Sequence, residues 1–223
     1  MGYPGHSVRI TGWRIKSQER VIIMNQKHFA SALFVLVAVA GAAAAEFTVN
    51  GGFEAGDLSG WTSFPTTNST FKLTNDANSG SFAAEVFNND VAAAAVVKQA
   101  NIGKGIINAG DEITISFAVK GSTANGGVAF AEFFSEIDGG GVSKSEILGG
   151  GPLPLTGSYQ TFTFVTTAGP DVSGGVTLQF AAVTGADVGS VTVLFIDDAS
   201  VVPGPGALAL LGLGGLASLR RRR

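Results

Sequence analysis

From Glu112 to Val119 the chain alternates without a break. Ile113, Ile115, Phe117 and Val119 fall on one side of an extended backbone, Thr114 and Ser116 on the other. Phe162 and Phe164 alternate with Thr161 and Thr163 in the same way. One apolar and one polar side is the pattern of antiparallel strands that bury one face and hydrate the other. Further short runs rich in β-branched residues and phenylalanine recur between Gly, Asn and Asp clusters, the residues that make turns. The expected strands are 47–49, 70–73, 82–87, 94–99, 112–119, 128–134, 159–166, 176–182 and 191–201. Within 91–97 the alanines also suit a helical turn, and its second half reads as strand. Fourteen phenylalanines between residues 46 and 202 supply a core, each burying about 150–250 Å². The fold class expected is all-β, a β-sandwich of jelly-roll type. An N-terminal signal helix and a short C-terminal transmembrane helix would flank it.

The residues absent from this body limit its chemistry. The chain has no cysteine, which excludes disulfides, thiolate metal sites and cysteine nucleophiles. Its two histidines, His6 and His28, both precede Phe29. Beyond that point a Ser-His-Asp triad and histidine metal ligation are excluded. Residues 46–202 carry 16 acidic and 5 basic residues, a net charge of −11. Such a body repels phosphates and should not bind nucleic acid. Gly139–Gly141 and Gly149–Gly151 lack the strand-loop-helix setting of a phosphate loop.

The ends read as addresses. Met24 to His28 is a short charged region, residues 29–40 are largely apolar, and Ala43 and Ala45 form a small-x-small site. These are the parts of a secretory signal, with cleavage by signal peptidase expected after Ala45. Twelve residues at ~1.5 Å each do not cross ~30 Å of hydrocarbon. Residues 1–23 have no role in this scheme and read as an extension upstream of a start at Met24, with a long, basic first region of the signal as the alternative. At the other end Pro203, Gly204 and Pro205 precede a thirteen-residue apolar run and then Arg220, Arg221, Arg222 and Arg223. The arginine cluster resists entry into lipid and stays on the cytoplasmic side. An ordinary C-terminal membrane anchor is the plain alternative.

This ending, residues 203–223, resembles the PEP-CTERM sorting signal of bacterial exported proteins: a Pro motif, a short transmembrane segment and a terminal Arg cluster. Gly204 stands where that family usually has glutamate. The resemblance implies a membrane intermediate, processing by an exosortase near the Pro motif, and a mature product at the cell surface or outside the cell.

A second resemblance spans most of residues 46–202. The opening Asn50-Gly51-Gly52-Phe53-Glu54, with Gly60-Trp61, and the closing Ile196-Asp197-Asp198 look like the brackets of galactose-binding-like jelly rolls, in particular carbohydrate-binding modules of the cellulose- and xylan-binding type. Ser79-Gly80-Ser81-Phe82-Ala83-Ala84 and Ser158-Tyr159-Gln160 are similar to inner strands of that family. The family implies a structural calcium ion tying the first strand to the last. Gly52 would offer a carbonyl, Glu54 and Asp197 carboxylates, and Asp76 a further carboxylate. Asp197 shares parity with Phe195, Ala199 and Val201, so it is expected to point inward, where a lone carboxylate needs a partner. Such modules bind sugar on exposed aromatic residues. Trp61 and Tyr159 are the two candidates, both expected to pack against the core. Phe133 and Phe134 must face opposite ways. Asn88, Asn89 and Gln179 could line a groove.

These readings point to a non-enzymatic exported surface or matrix protein. The alternatives are a carbohydrate-binding module for an envelope or matrix polysaccharide and, more remotely, a glycosidase using the acidic cluster Glu132, Glu136 and Asp138.

Overall fold

The computed structural model describes residues 46–204. The upstream extension, the signal segment with Ala43 and Ala45, and the tail from Pro205 through the four arginines lie outside the described residues. Ten strands follow in chain order: β1 Thr62–Phe64, β2 Ser69–Thr74, β3 Ala83–Asn88, β4 Ala94–Ile102, β5 Glu112–Ala124, β6 Val128–Glu136, β7 Val142–Ile147, β8 Gln160–Thr167, β9 Gly175–Val183 and β10 Val191–Pro203. The one helical element among the described residues is a 3₁₀ turn, Leu148–Gly150. No described helix is long and apolar enough to cross a membrane.

The strands form two five-stranded sheets, both antiparallel throughout. The first has the order β1-β4-β9-β6-β7, the second β2-β3-β10-β5-β8. Consecutive strands pass repeatedly from one sheet to the other, as in a jelly roll. Alternation decides what lies between the sheets. Ile113, Ile115 and Phe117 of β5 are fully buried, and so are Val176, Leu178 and Phe180 of β9. The sheets meet at Phe117 and Phe180, whose rings pack edge to face with centroids 5.0 Å apart.

Eight of the nine expected strands are present. The ninth, 47–49, is not a strand, although the Phe47 N–H donates to the Val201 carbonyl at 3.1 Å. Neither β1 nor β7 was expected. The first is only three residues long. The second, Val-Ser-Lys-Ser-Glu-Ile, is an edge strand with charges on it and lacks an unbroken apolar side. Residues 91–93 form a turn, and strand begins at Ala94.

The closing strand departs from simple alternation. Its pairing with β5 shifts register between Asp197 and Ser200, and Asp198 has φ 49°. This bulge switches the faces. Leu194 and Ile196 point into the core before it, Ala199 and Val201 after it. Asp197 is opposite Ala118 and Phe195 opposite Lys120, so both lie on the outer face of the second sheet. The expectation that Asp197 points inward with the core set is thereby corrected. β10 also runs on into Pro203, opposite Ile113. A proline fits there because β3, the other neighbour of β10, pairs no further than Ile196 and needs no donor. Gly204 then donates to the Glu112 carbonyl.

Candidate ligand face and acidic junction

The outer face of the first sheet is built by register. Phe64, Val96, Ala181 and Phe130 stand abreast across β1, β4, β9 and β6. The next row is Thr62, Lys98, Gln179, Glu132 and Ile147. After it come Thr177, Phe134 and Ser145. Their sequence neighbours Val97, Phe180 and Phe133 point into the core. Phe133 is fully buried and Phe134 half-buried, as adjacent strand residues must divide. Phe64 is 50% exposed and Phe130 half-buried.

Polar groups between these rings are held in place. Gln179 Nε2 donates to Glu132 Oε2 at 2.6 Å, and Thr177 Oγ1 donates to Glu136 Oε1 at 2.6 Å. Lys98 Nζ sits 5.4 Å from the centroid of the Phe64 ring. Lys72, Lys104, Lys120 and Lys144 each pair with a carboxylate, and Lys98 is the described lysine that does not. At the end of the face a cleft of about 440 Å³ opens between Lys98, Asn101, Glu136 and the Gly139–Gly141 turn. Thr177 is fully buried and serves only to fix Glu136, so partly exposed rings beside fixed amide and carboxylate groups remain, which can take a flat ligand with apolar faces and a hydroxyl rim.

Other anticipated residues fall elsewhere. Trp61 is buried, tilted against Phe53 and Phe180 at 5.7 and 6.0 Å, with its indole N–H donating to the Asn50 carbonyl. The Tyr159 hydroxyl donates to the Asp76 carbonyl at 2.6 Å, on the other sheet's side. Burial, helped by the negative charge of Asp197, Asp76 and Asp198, pushes that phenol well above its usual range. Neither ring is an open platform. Asn88 is fully buried, bonded to Ala93, Ala182 and Thr66, and lines no groove. Of the acidic cluster, Glu132 and Glu136 share the outer face, while Asp138 pairs with Lys104 at 2.6 Å. Gln179 was the one residue of this face named from sequence as a groove amide. Phe64 and Lys98 carry no signal of their own in the sequence, since β1 is only three residues long and register alone sets Phe64 beside Val96 of β4 and Lys98 beside Gln179 of β9.

The second assembly joins opening, turn and closing strand. Asp197 is fully buried. Its Oδ2 accepts the N–H groups of Asn78 at 2.7 Å and Ser79 at 3.1 Å, and its Oδ1 accepts that of Asp198 at 2.7 Å. Burial nevertheless raises its carboxyl above the usual range, against the pull of those amides. Glu54 Oε1 accepts the N–H groups of Ser81 and Phe82, both at 2.8 Å. Two carboxylates thus hold four amides of one turn, which leads into β3. Asp198 takes the Ser79 hydroxyl and the Asn78 amide. Lys120 lies 4.9 Å from the ring centroids of both Tyr159 and Phe195 and pairs with Asp76.

A calcium ion is compatible with part of the anticipated set. A Cβ on Gly52 would stand 3.7 Å from Asp197 Oδ1, 3.7 Å from Asp198 Oδ1 and 3.9 Å from Glu54 Cγ, so a small cradle opens there. Glu54 Oε2 accepts no hydrogen bond among the described residues. Asp76 is neutralised by Lys120 instead. As they stand, no three acidic side chains among the described residues are grouped to hold a metal.

No family model and no curated protein matches the sequence. Solved structures do resemble the fold. The enzymatically active domain of bacteriophage CBA120 tailspike protein 4 aligns at a TM-score of 0.55 and 19% identity, over 71% of this chain and 21% of that one. The CBM22-1-CBM22-2 tandem domain of Paenibacillus barcinonensis Xyn10C aligns at 0.51 and 14%, over 74% and 47%. The arabinose-bound MgGH51 α-L-arabinofuranosidase aligns at 0.50 and 16%, over 71% and 26%. The chain therefore spans less than half the length of each. At these identities the likeness is one of fold, a β-sandwich shared with carbohydrate-binding modules.

Proposed function

We propose that the sandwich is a polysaccharide-binding module of an exported bacterial protein. The observation that carries this reading is the outer face of the first sheet, where Phe64, Phe130 and Phe134 are partly exposed around the fixed Gln179–Glu132 pair. Sugar rings have apolar C–H faces that suit the phenylalanines and hydroxyl rims that suit the amide and carboxylate. The fold shared with the Xyn10C tandem domain adds support. Binding of the full chain to immobilised polysaccharides tests the reading. Phe130→Ala and Gln179→Ala should each weaken retention about tenfold, the loss of roughly 1.4 kcal/mol of contact. Trp61→Ala is a poor probe, because it cuts into the core. No retention on a broad panel of neutral and acidic polysaccharides would remove the reading, as would retention indifferent to both substitutions.

In this proposal the leader and tail deliver the module. Signal peptidase cuts after Ala45, the tail holds the body at the membrane, and an exosortase acts at Pro203-Gly204-Pro205. Pro203 and Gly204 are docked along β5, so the cut falls beyond Gly204. The mass of the mature protein from its host reports both cuts. A mature chain that retains residues 24–45 or the terminal arginines would contradict the route.

Calcium belongs to the same proposal at Gly52, Glu54 and Asp197, with Asp76 left to Lys120. An ion there would supply oxygen coordination that ties the opening segment to β10.

A further inference from the structure

Each sheet ends in two edge strands, and a sheet edge offers unpaired N–H and C=O groups to any extended chain. Three of the four edges are blunted. β1 has only three residues. β2 carries Lys72, paired with Glu85. β7 carries Lys144 and Glu146. β8 differs: Gln-Thr-Phe-Thr-Phe-Val-Thr-Thr is eight residues long with no charge, proline or glycine. Val165 is 61% exposed. Among the described residues no backbone group of Gln160 to Val165 bonds to anything but β5. Among the described residues the side-chain hydrogen bonds to this strand are confined to its end, where Lys144 Nζ meets Thr166 Oγ1 and the Thr167 carbonyl and Thr166 Oγ1 donates to Glu146 Oε2 at 2.6 Å.

We propose that β8 is a self-association edge and that its occupant is β8 of a second copy of this chain, paired antiparallel about a twofold axis. The strand is complementary to itself in this sense. Pairing centred on Phe164 sets Thr163 opposite Val165 and Thr161 opposite Thr167 on the solvent side, and Phe162 opposite Thr166 on the core side. Residues of equal parity then face each other, so neither copy turns an apolar side to water. Thr–Thr and Thr–Val neighbours are favourable cross-strand pairs, and no like charges meet along the strand. The same contact seen from either copy closes the pair, giving a dimer and not a fibre. The joined second sheets form one ten-stranded sheet, with the ligand faces of the first sheets left open.

The test uses the full chain, which has no cysteine of its own. Light scattering should show a concentration-dependent dimer, and Val165→Lys should weaken association at least tenfold while the melting midpoint stays close to wild type. Mixed Thr163→Cys and Val165→Cys chains should form a disulfide-linked pair under mild oxidation, and Thr70→Cys on β2 should not. A monomer at ~0.1 mM would overturn the proposal. So would a dimer that survives Val165→Lys, or cross-linking as efficient through Thr70→Cys as through β8. A monomer captured by a foreign extended peptide along β8 would also overturn it, assigning the edge to another protein.

Discussion

Asp197→Ala lowers the stability of the sandwich by about 3 kcal/mol or more, well beyond the cost of losing a surface aspartate. The carboxylate is fully buried and accepts three backbone N–H groups, two of them from the turn at Asn78 and Ser79. Alanine removes three part-buried hydrogen bonds to a carboxylate, and bonds to a charged group contribute about 1.5–3 kcal/mol each, less where water reaches the exposed Asn78 and Ser79. Asp197→Asn recovers part of the loss, because one oxygen still accepts while the new NH₂ faces an amide donor. Asp198→Ala is the control. It removes bonds to the Asn78 side chain and the Ser79 hydroxyl at a partly exposed site and adds the strain of alanine at φ 49°, so its cost is about 1–2 kcal/mol, still below that of Asp197→Ala. Chemical denaturation in chelator measures this ranking without any ion. Repeating the melts in calcium addresses the proposed metal. Binding to the native state raises the wild-type midpoint, and Asp197→Asn abolishes the rise. A wild-type curve that does not respond to calcium ends the metal assignment and leaves the amide argument standing. An Asp197→Ala variant as stable as Asp198→Ala ends the amide argument.

The same residue marks how far sequence reading reaches. Strict alternation in β5 and β8 was legible because a period of two maps directly onto faces. It failed in β10, because the bulge at Asp198 is a one-residue event with no residue-type signature strong enough to announce it. Asp197 is buried all the same and accepts three backbone N–H groups. The turn at Asn78 and Ser79 covers it on the outer face and supplies the donors. The ligand face was harder. Gln179 and Glu132 were both visible as polar residues in apolar strands, but their hydrogen bond joins residues 47 positions apart. Phe64 enters through a three-residue strand that no window of alternation detects. Register across four strands makes the face, and a single sequence does not state register. Trp61 shows the converse. The Gly60-Trp61 pair suggested packing on the core, and the ring does pack between Phe53 and Phe180.

The opening motif gives the other large effect, because its two adjacent glycines do unlike work. Gly51→Ala destabilises the fold by about 3 kcal/mol, through overpacking against backbone that cannot relax alone. A Cβ at Gly51 would stand 1.8 Å from the Ala199 carbonyl oxygen and 2.9 Å from its carbon. The Ala199 N–H donates to the Gly51 carbonyl at 3.0 Å, so the two backbones are in direct contact. To admit a methyl group, the opening segment must lift from β10. That movement endangers this bond, the Phe47 to Val201 bond at 3.1 Å and the Val201 N–H to Thr48 Oγ1 bond at 2.8 Å. Gly52→Ala makes the opposite case. Its Cβ would meet nothing closer than 3.7 Å, an ordinary contact, so in chelator it costs under about 1 kcal/mol. Thermal melts of the two variants side by side decide the matter. Equal losses would mean that the pair acts through chain flexibility instead of close approach. A wild-type midpoint for Gly51→Ala would mean that the opening segment does not rest on β10 at all, and the junction that positions Glu54 and Asp197 would have to be abandoned with it.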